Sequence, residues 1–263
     1  MTTSAIRRLR ILADDLTGAL DTAAVFAGPV PVYIDHPPAD QEDAAVPVAA
    51  LATGTRDIAP ESLPERLQPA LDWLRAGTVA YKKVDSLLRG NTFAETAWIA
   101  QHGSLNLTVF APAFPAQGRI TTEDRQWILQ RDGTREGVAT PLIEAFSALN
   151  RRACSSFAND GVCDTWIPEI LTDADLDRIV ATVEHSAAAS PLWCGSAGLA
   201  NAQARRWHLA PDLGSAALLP IGEGPTVLIS ASFQPTLKTQ WARLCADRPP
   251  AAMARCADDG EIA

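Results

Sequence analysis

The stretch Ile11-Leu12-Ala13-Asp14-Asp15-Leu16-Thr17-Gly18-Ala19-Leu20-Asp21-Thr22 decides the fold. The apolar run Leu9–Ala13 predicts a buried β-strand, and small or apolar residues then recur at helical spacing from Leu16 onward. A strand, a short turn and a helix start in this order are typical of open α/β sheets, which bind ligands at the carboxyl ends of their strands. The stretch therefore predicts a turn that faces a ligand and carries Asp14 and Asp15.

The two adjacent carboxylates of this turn have two interpretations. One aspartate can cap the helix, because its side chain can accept a hydrogen bond from a free N–H group of the first turn. Capping accounts for one carboxylate, but it explains neither the second one nor Asp21 one turn further on. We therefore predict a functional role for Asp14 and Asp15.

Composition and charge limit the classes of partner. The chain has 263 residues, of which 47% are hydrophobic and 20% charged, and this suits one large folded domain or two modest ones. The formal net charge of −9 argues against a nucleic acid or an anionic membrane as partner, because either requires a basic face. No segment resembles a membrane span or a secretory leader, so the sequence predicts a cytoplasmic protein.

The cysteines and histidines do not suggest a metal centre. The five cysteines are odd in number and include no C-x-x-C pair, which predicts free thiols rather than disulfides or a zinc site. No two of the four histidines are spaced as metal ligands on one helix face, so we expect them at the surface and predict no metal ligands. The cysteines are Cys154, Cys163, Cys194, Cys245 and Cys256, and the histidines are His36, His102, His185 and His208.

Strand-like and helix-like segments alternate along the chain, which predicts an α/β fold with a mostly parallel sheet flanked by helices. Further strands are expected at Val30–Ile34, Val46–Leu51, Thr78–Val84, Leu107–Ala111 and Leu192–Cys194. Helices are expected at Pro60–Ala76, Thr92–Gln101, Pro141–Leu149, from a cap at Thr172 to about Ala188, and from Gly198 to Arg206. We divide the chain into a first domain at 1–212 and a second segment at 213–263, which starts with a strand at Thr226–Ile229.

A second group of polar residues follows the strand Thr78–Val84. It comprises Lys83, Asp85, Ser86, Arg89 and Gly90. Lysine and arginine can hold a carboxylate or phosphate, and aspartate and serine can hold hydroxyls. The alternative is a solvated loop with an internal Lys–Asp pair, which would contribute little. Lys82 alternates with Lys83 on the strand and is expected to face away from the site.

Three other positions are candidates for the same edge of the sheet. Arg56 follows the strand Val46–Leu51, so it should face the carboxyl ends. Arg119 lies in a Pro/Gly-rich loop and is either an anion contact or a structural donor to carbonyls. The segment Gly195-Ser196-Ala197-Gly198 is either a phosphate-binding turn or a tight turn with close helix packing.

Five motifs in order resemble the four-carbon acid sugar kinase family. They are Asp14-Asp15-Leu16-Thr17-Gly18-Ala19-x-Asp21-Thr22, Lys82-Lys83-x-Asp85-Ser86-x-Leu88-Arg89-Gly90-Asn91, Pro112-Ala113-Phe114-Pro115-x-x-Gly118-Arg119, Thr172-Asp173-Ala174-Asp175-Leu176 and Gly195-Ser196-Ala197-Gly198-Leu199-Ala200. The resemblance covers Leu9 to Arg206 and implies a sugar-acid-binding N-terminal domain followed by a nucleotide-binding domain.

The resemblance also implies an activity. Family members phosphorylate the terminal hydroxyl of threonate, erythronate or 3-oxo-tetronate with ATP and Mg²⁺. Asp14 and Asp15 are then expected at substrate hydroxyls, with one of them as general base, while the cations meet the substrate carboxylate or the transferred phosphate. The implied substrate contacts are Asp14, Asp15, Thr17, Arg56, Lys83, Asp85, Ser86, Arg89, Gly90 and Arg119, and the implied nucleotide contact is Ser232. A homodimer is left open as the assembly.

Some positions depart from the family pattern. Leu87 stands where the family has threonine, and Ala231, Gln234 and Leu237 depart from its Gly-Ser-x-Ser-Pro-x-Thr-x-x-Gln pattern. The sequence ends at Ala263, before the later glycine-rich nucleotide motifs of the family. Two alternatives remain. A sugar-acid-binding protein without catalysis needs only the first domain, and Asp14-Asp15-x-Thr17 suggests a phosphatase with an aspartate nucleophile. We expect the chain alone to bind a sugar acid and to turn over ATP poorly.

Overall fold

The strand β1, Leu9–Ala13, lies inside an eight-stranded sheet of the computed structural model and is buried over its whole length. The structure describes residues 7–38, 46–130, 132–138, 140–157, 162–186, 191–211 and 235–247. The chain divides into two compact units, residues 1–216 and residues 217–263. Each is described by itself, and the domain boundary predicted at residue 212 stays a prediction.

Most of the predicted elements are present in the first unit, with ends shifted by one or two residues. The strands are β1 (Leu9–Ala13), β2 (Val32–Ile34), β3 (Val48–Ala52), β4 (Val79–Lys83), β5 (Thr108–Ala111), β6 (Arg119–Thr122), β7 (Arg125–Leu129), β8 (Arg135–Gly137), β9 (Ala153–Cys154), β10 (Thr165–Trp166) and β11 (Leu192–Gly195). The helices are α1 (Leu16–Ala23), α2 (Leu63–Ala76), α3 (Thr92–His102), α4 (Leu142–Ser147), α5 (Asp173–His185) and α6 (Ala197–Arg206). Helix α5 begins with a capping box between Thr172 and Asp175, as the sequence predicts.

The strands of the large sheet are all parallel to their neighbours, in the order β2-β3-β1-β4-β11-β5-β10-β9. The predicted α/β fold is therefore confirmed. Two layers of helices cover the sheet. One apolar core includes residues of α1, α5 and α6, and a separate core includes residues of α2, α3 and α4.

The strand order contains a reversal that places a candidate site. From β1 the chain proceeds to β2 and β3 on one side, whereas β4 pairs with β1 on its other side. The turns that leave β1 and β4 therefore diverge at a topological switch point, where open α/β sheets bind ligands. Ala13 pairs with Lys83 at the ends of the two strands, so the turns that follow them lie side by side.

A small antiparallel sheet, β6-β7-β8, was not predicted as such. Its strands have only four, five and three residues, too few for a clear alternation of apolar and polar side chains. Gln126 anchors this sheet to the loop after β4, since its Nε2 donates to the carbonyl of Ser86 over 2.8 Å. The two-residue strands β9 and β10 were also missed, since two residues carry no periodicity.

One cysteine prediction is wrong. Cys154 and Cys163 form a disulfide, with their Cα atoms 6.1 Å apart. Strand β9 ends at Cys154 and pairs with β10, which begins just after Cys163, so strand pairing brings together two thiols that no sequence motif connects. Cys194 is a buried free thiol and Cys245 is free as well, while Cys256 lies outside the described residues. The four histidines are exposed, as predicted.

In the second unit the structure describes helix α7, Pro235–Asp247. The strand predicted at Thr226–Ile229 and the nucleotide contact predicted at Ser232 lie outside the described residues. None of the described helices combines the length and apolar character needed to span a membrane.

Candidate functional site

Arg56 and Asp14 form the centre of the site at the switch point. The Arg56 Nε donates to Asp14 Oδ2 over 2.8 Å, and its Nη2 donates to Asp14 Oδ1 over 3.2 Å. Asp14 is only 2% exposed. Burial opposes ionisation of Asp14, but the charges of Lys82 and Arg56 outweigh it, so the pKa of Asp14 lies below its ordinary value. Asp14 is therefore a carboxylate whose two oxygens are directed at Arg56.

Asp15 has two structural partners. Its Oδ1 accepts a hydrogen bond of 2.8 Å from the Gly18 backbone N–H, which makes Asp15 the N-cap of α1. Its Oδ2 accepts a second bond of 2.7 Å from Arg56 Nη1. Capping and ion pairing are thus combined in one side chain, and Arg56 connects both carboxylates of the turn after β1.

The loop that carries Arg56 is held by the loop after β4. Asn91 Nδ2 donates to the carbonyls of Thr55, over 2.9 Å, and Ile58, over 2.8 Å. Gly90 lies against the same loop at a φ of +70°, and a Cβ at this position would come within 2.5 Å of the Arg56 carbonyl oxygen. Gly90 is therefore required by this close approach, and the two loops are positioned as one piece.

Lys82 and Lys83 point to opposite faces of the sheet. Lys82 is buried against α3, with its Nζ 2.6 Å from Glu95 Oε2. Burial disfavours the charged amine of Lys82, but Glu95 and Asp14 outweigh this effect and raise its pKa. Lys82 therefore faces away from the switch point, as the strand alternation predicts.

Lys83 has a different environment, next to the first turn of α1. A Cβ added to Gly18 would lie 2.9 Å from Lys83 Nζ, which shows how closely the amine passes over that turn. Lys83 is 5% exposed and, within the described part of the chain, its amine makes no hydrogen bond and no ion pair within 4 Å. Burial lowers the pKa of Lys83, although Asp14, Asp85, Asp15 and Asp21 favour its charged form.

The turn after β4 presents a further ion pair. Asp85 is buried, and its Oδ1 accepts a 2.9 Å hydrogen bond from the Leu87 N–H, while its Oδ2 pairs with Arg89 Nε. Arg56 Nη2 lies 3.9 Å from the same Oδ2. The Arg89 side chain remains 60% exposed, so most of its guanidinium is open to a ligand. Ser86 is half-buried, and its carbonyl is occupied by Gln126.

We call the six acidic and basic side chains at this edge the switch-point cluster. They are Asp14, Asp15, Arg56, Lys83, Asp85 and Arg89. All six were predicted from the sequence as site residues. The sequence did not indicate the pairing of Arg56 with the aspartates, because these residues are 42 and 41 positions apart.

The remaining predicted contacts are less closely tied to the cluster. Thr17 is exposed in the first turn of α1, beside Asp15. Arg119 is the first residue of β6, where its Nη1 donates to the carbonyl and Oε1 of Gln117. This contact corresponds to the structural-donor alternative, although the Arg119 Nε is buried without a partner among the described residues.

The turn at Ser196 packs closely against its neighbours. Ser196 Oγ donates to the Ala113 carbonyl over 2.7 Å and accepts from the Gly198 N–H over 3.1 Å. A Cβ at Gly195 would come within 2.8 Å of the Ala111 carbonyl oxygen. These contacts favour the tight-turn interpretation of this segment over phosphate binding, because the Ser196 hydroxyl and the Gly198 N–H already have partners.

Gly18 is a site residue that was not predicted. A Cβ at this position would come within 2.5 Å of Asp15 Oδ1 as well as close to Lys83 Nζ. The available signal was a glycine in the first turn of an otherwise apolar helix, where glycine is unfavourable.

In the described part of the chain, no group of three or more His, Cys, Asp or Glu side chains is placed to hold a metal ion. Two cavities of about 200 Å³ each also lie away from the cluster, one beside Trp193 and Trp207 and the other beside Pro60 and Trp98. The cluster is thus an open edge of the sheet with fixed charges of both signs, suited to an acid with hydroxyl groups.

Comparison with known sequences places this edge in a family domain. Residues 9–145, just over half of the chain, match the family described as sugar-binding N-terminal domain. A D-threonate kinase of Cupriavidus necator is 34% identical over 257 residues, which cover 83% of this chain and 58% of the relative. A 3-oxo-tetronate kinase of Brucella melitensis is 25% identical over 285 residues, which cover 94% of this chain and 64% of the relative.

Solved structures show the same fold. A Bordetella bronchiseptica protein, described as a domain of unknown function with bound citrate in a domain-swapped dimer, superposes with a TM-score of 0.59 at 26% identity. The superposition covers 76% of this chain and 56% of that protein. The chain thus spans less than two thirds of the length of these relatives.

Proposed function

Because the chain belongs to the four-carbon acid sugar kinase family, whose sugar-binding N-terminal domain it contains at residues 9–145, we propose that this domain binds the acid that the kinase phosphorylates. The acid is of the threonate, erythronate or 3-oxo-tetronate type. The whole protein would transfer the γ-phosphoryl group of ATP to the terminal hydroxyl of this acid. The domain described here would supply the acceptor side of that reaction.

The observation that supports the proposal best is the position of the switch-point cluster. Its residues come from the turns after β1, β3 and β4, which meet at the carboxyl edge of the sheet. Three cations and three carboxylates converge there. A four-carbon sugar acid has one carboxylate, which requires a cation, and several hydroxyls, which carboxylate oxygens can hold.

We assign the substrate carboxylate to Arg89, because its guanidinium is exposed and only its Nε is engaged. Lys83, which makes no ion pair with a described residue, would meet the acid or the transferred phosphate deeper in the site. Arg119 is a more distant candidate for the same charges. Cations at these positions would neutralise charge during transfer, and this is the main requirement of phosphoryl transfer.

We assign the substrate hydroxyls to Asp15, with Thr17, Asp85, Ser86 and Gly90 around it. Asp15 is more accessible than Asp14 and is therefore the better candidate for general base. Asp14 would have an indirect role. It would hold the Arg56 guanidinium in place, and Arg56 in turn would orient Asp15. Since both oxygens of Asp14 are directed at Arg56, a nucleophilic Asp14 of the phosphatase type is disfavoured.

The phosphoryl donor would bind elsewhere. The nucleotide contact predicted at Ser232 lies outside the described residues, and no group of three or more described His, Cys, Asp or Glu side chains is placed to hold a metal ion. ATP and Mg²⁺ are therefore part of the proposal only through the family. A homodimer is likewise proposed as the assembly, on the ground that one solved relative is described as a domain-swapped dimer.

Calorimetric titration of the full chain with D-threonate, L-threonate, D-erythronate and 3-oxo-tetronate tests the binding role. Erythritol, which has the hydroxyls but lacks the carboxylate, is the matched control. We expect one of the acids to bind and erythritol not to bind. Absence of binding by all four acids would refute the proposal for this domain.

ADP formation from Mg-ATP with the bound acid tests the catalytic role separately. ADP formed in proportion to the acid supports the kinase activity. Binding without ADP supports the acid-binding alternative. Release of phosphate from a phosphorylated four-carbon acid, without ATP, would favour the phosphatase alternative.

A further inference from the structure

The chain contains only three lysines, and they lie in three different environments. Lys82 is buried in an ion pair with Glu95, and Lys238 is exposed on α7. Lys83 is 5% exposed at the end of β4, and its amine makes neither a hydrogen bond nor an ion pair with the described residues. A lysine that is largely buried and whose amine has no protein partner is rare, because burial of an unpaired charge is costly.

The groups that face Lys83 are known from each neighbouring element. Asp14, Asp15 and Asp21 act on it from the turn after β1 and from α1, and Asp85 acts from its own turn. All four carboxylates favour the charged amine, yet burial outweighs them and lowers the pKa of Lys83. A larger fraction of this amine is therefore neutral at a given pH than of a lysine in water, and a neutral amine is a nucleophile.

Access to the amine comes from the ligand-binding edge. Lys83 pairs with Ala13 in the sheet, so its side chain leaves the strand beside the turn of Asp14 and Asp15. The absence of a side chain at Gly18 leaves room for Lys83 Nζ. Arg89, with an exposed guanidinium, follows in the same loop and can hold a carboxylate.

We propose that the Lys83 amine is a nucleophile that forms a reversible imine with the carbonyl group of a short oxo acid at the switch-point cluster. The acid needs a carboxylate for Arg89 and an aldehyde or ketone for Lys83. The proposal assumes one part of the proposed function, namely that an acid binds at the switch-point cluster. It does not require phosphoryl transfer.

The reaction balances without an additional reagent. The nitrogen lone pair forms a bond to the carbonyl carbon, and the C–O π electrons move to oxygen. The carbinolamine then loses this oxygen as water, whose two hydrogens correspond to those lost from the neutral amine. No described carboxylate oxygen lies within 4 Å of the amine, so the proton of the ammonium form leaves to solvent water, and water returns a proton to the departing oxygen.

The test is reductive trapping on the full chain. The protein is incubated at pH 7 with glyoxylate, a short acid with an aldehyde, and with cyanoborohydride, which reduces an imine to a stable amine. Peptide mass spectrometry then measures modification at each lysine. We expect Lys83 to be modified several-fold faster than Lys238, because Arg89 holds the acid beside an amine whose pKa is lowered by burial. Lys82 should stay unmodified.

Modification of Lys83 no faster than that of Lys238 would overturn the proposal, and this comparison requires no variant. In the variant Lys83→Arg, which keeps a cation but cannot form an imine, the adduct at position 83 should be absent while Lys238 is modified as before. Repeating the trapping in the presence of D-threonate separates the reactive Lys83 amine from the proposed binding of a sugar acid. Protection of Lys83 by D-threonate supports both, whereas fast labelling without protection supports the reactive amine and counts against binding of threonate there.

Discussion

The guanidinium of Arg56 spans the two aspartates of the turn after β1, with its Nε 2.8 Å from Asp14 Oδ2 and its Nη1 2.7 Å from Asp15 Oδ2. Asp14 is buried, and Arg56 is the one described side chain that donates hydrogen bonds to it. Arg56 is thus both a candidate ligand contact and the residue that compensates a buried charge. Stability and function depend here on the same ion pair.

The variant Arg56→Ala should be strongly destabilised. Removal of one partner of a buried ion pair leaves the other charge uncompensated and costs about 3–5 kcal/mol. Urea unfolding measures the loss. The variant Asp14→Asn is the matched partner for a double-mutant cycle, in which the double variant should lose clearly less than the sum of the two single ones. Additive losses would show that the two side chains do not interact in solution.

The stability of the chain should depend on acid pH through Glu184. Burial opposes its ionisation, but hydrogen bonds from Arg206, Arg7 and Trp207 outweigh burial and lower the pKa of Glu184 to about 2. A carboxyl with a lowered folded-state pKa stabilises the fold above its unfolded pKa, and this contribution is lost as the pH falls through the folded pKa. Glu184→Gln should thus be less stable than the wild type at pH 7.

The difference between the two proteins should be constant above about pH 5 and should shrink from there toward pH 2. Thermal unfolding at a series of pH values measures it. The substitution keeps the volume of the side chain, so the comparison isolates the charge. A stability difference that does not change between pH 7 and pH 3 would contradict the assigned ionisation of Glu184.

The variant Arg89→Ala should weaken binding of the sugar acid by about 1.5–3 kcal/mol, the usual worth of a hydrogen bond to a charged group. The side chain is mostly exposed, so the melting temperature should change little. Calorimetry with the tightest-binding acid measures the loss, and Arg89→Lys is expected to recover part of it because the charge is kept. Equal affinity of wild type and Arg89→Ala would remove the carboxylate role from Arg89.

The variant Asp15→Asn separates capping from function. Asparagine is as good an N-cap as aspartate, so helix α1 should be kept and the fold should lose little from the cap itself. The negative charge that Arg56 and a substrate hydroxyl meet is lost, so binding of the sugar acid should weaken. Melting temperature and affinity are measured on the same variant. Unchanged affinity would leave Asp15 with the structural role alone.

The variant Gly18→Ala should disturb the site although alanine is the better helix former. The added Cβ would come within 2.5 Å of Asp15 Oδ1 and 2.9 Å of Lys83 Nζ, so these side chains must move. We expect weaker acid binding and slower trapping of Lys83. Gly137→Ala is the matched control, because its Cβ would make only an ordinary contact of 3.6 Å with Trp127. A Gly18→Ala protein with normal affinity and normal trapping would show that this close packing is not needed.

The sequence by itself determined the α/β class and most elements of the parallel sheet. Apolar runs and helical spacing are local properties, so they could be recognised in segments such as Leu9–Ala13 and Leu63–Ala76. The same holds for the cap of α5, which is formed by two residues three positions apart. The ordered motifs also indicated the family and contained five residues of the switch-point cluster, and the sixth, Arg56, was predicted from its position after the strand Val46–Leu51.

Only the tertiary structure decided which of these residues are partners. The pairing of Arg56 with Asp14, the burial of Lys82 against Glu95 and the disulfide between Cys154 and Cys163 all depend on which strands and helices become neighbours. Strand order is set by packing of the whole sheet, and no local pattern encodes it. Strand alternation is local, so the sequence could assign Lys82 and Lys83 to opposite faces. It could not show that Lys82 forms an ion pair with Glu95, whereas the Lys83 amine has no direct partner among the described residues.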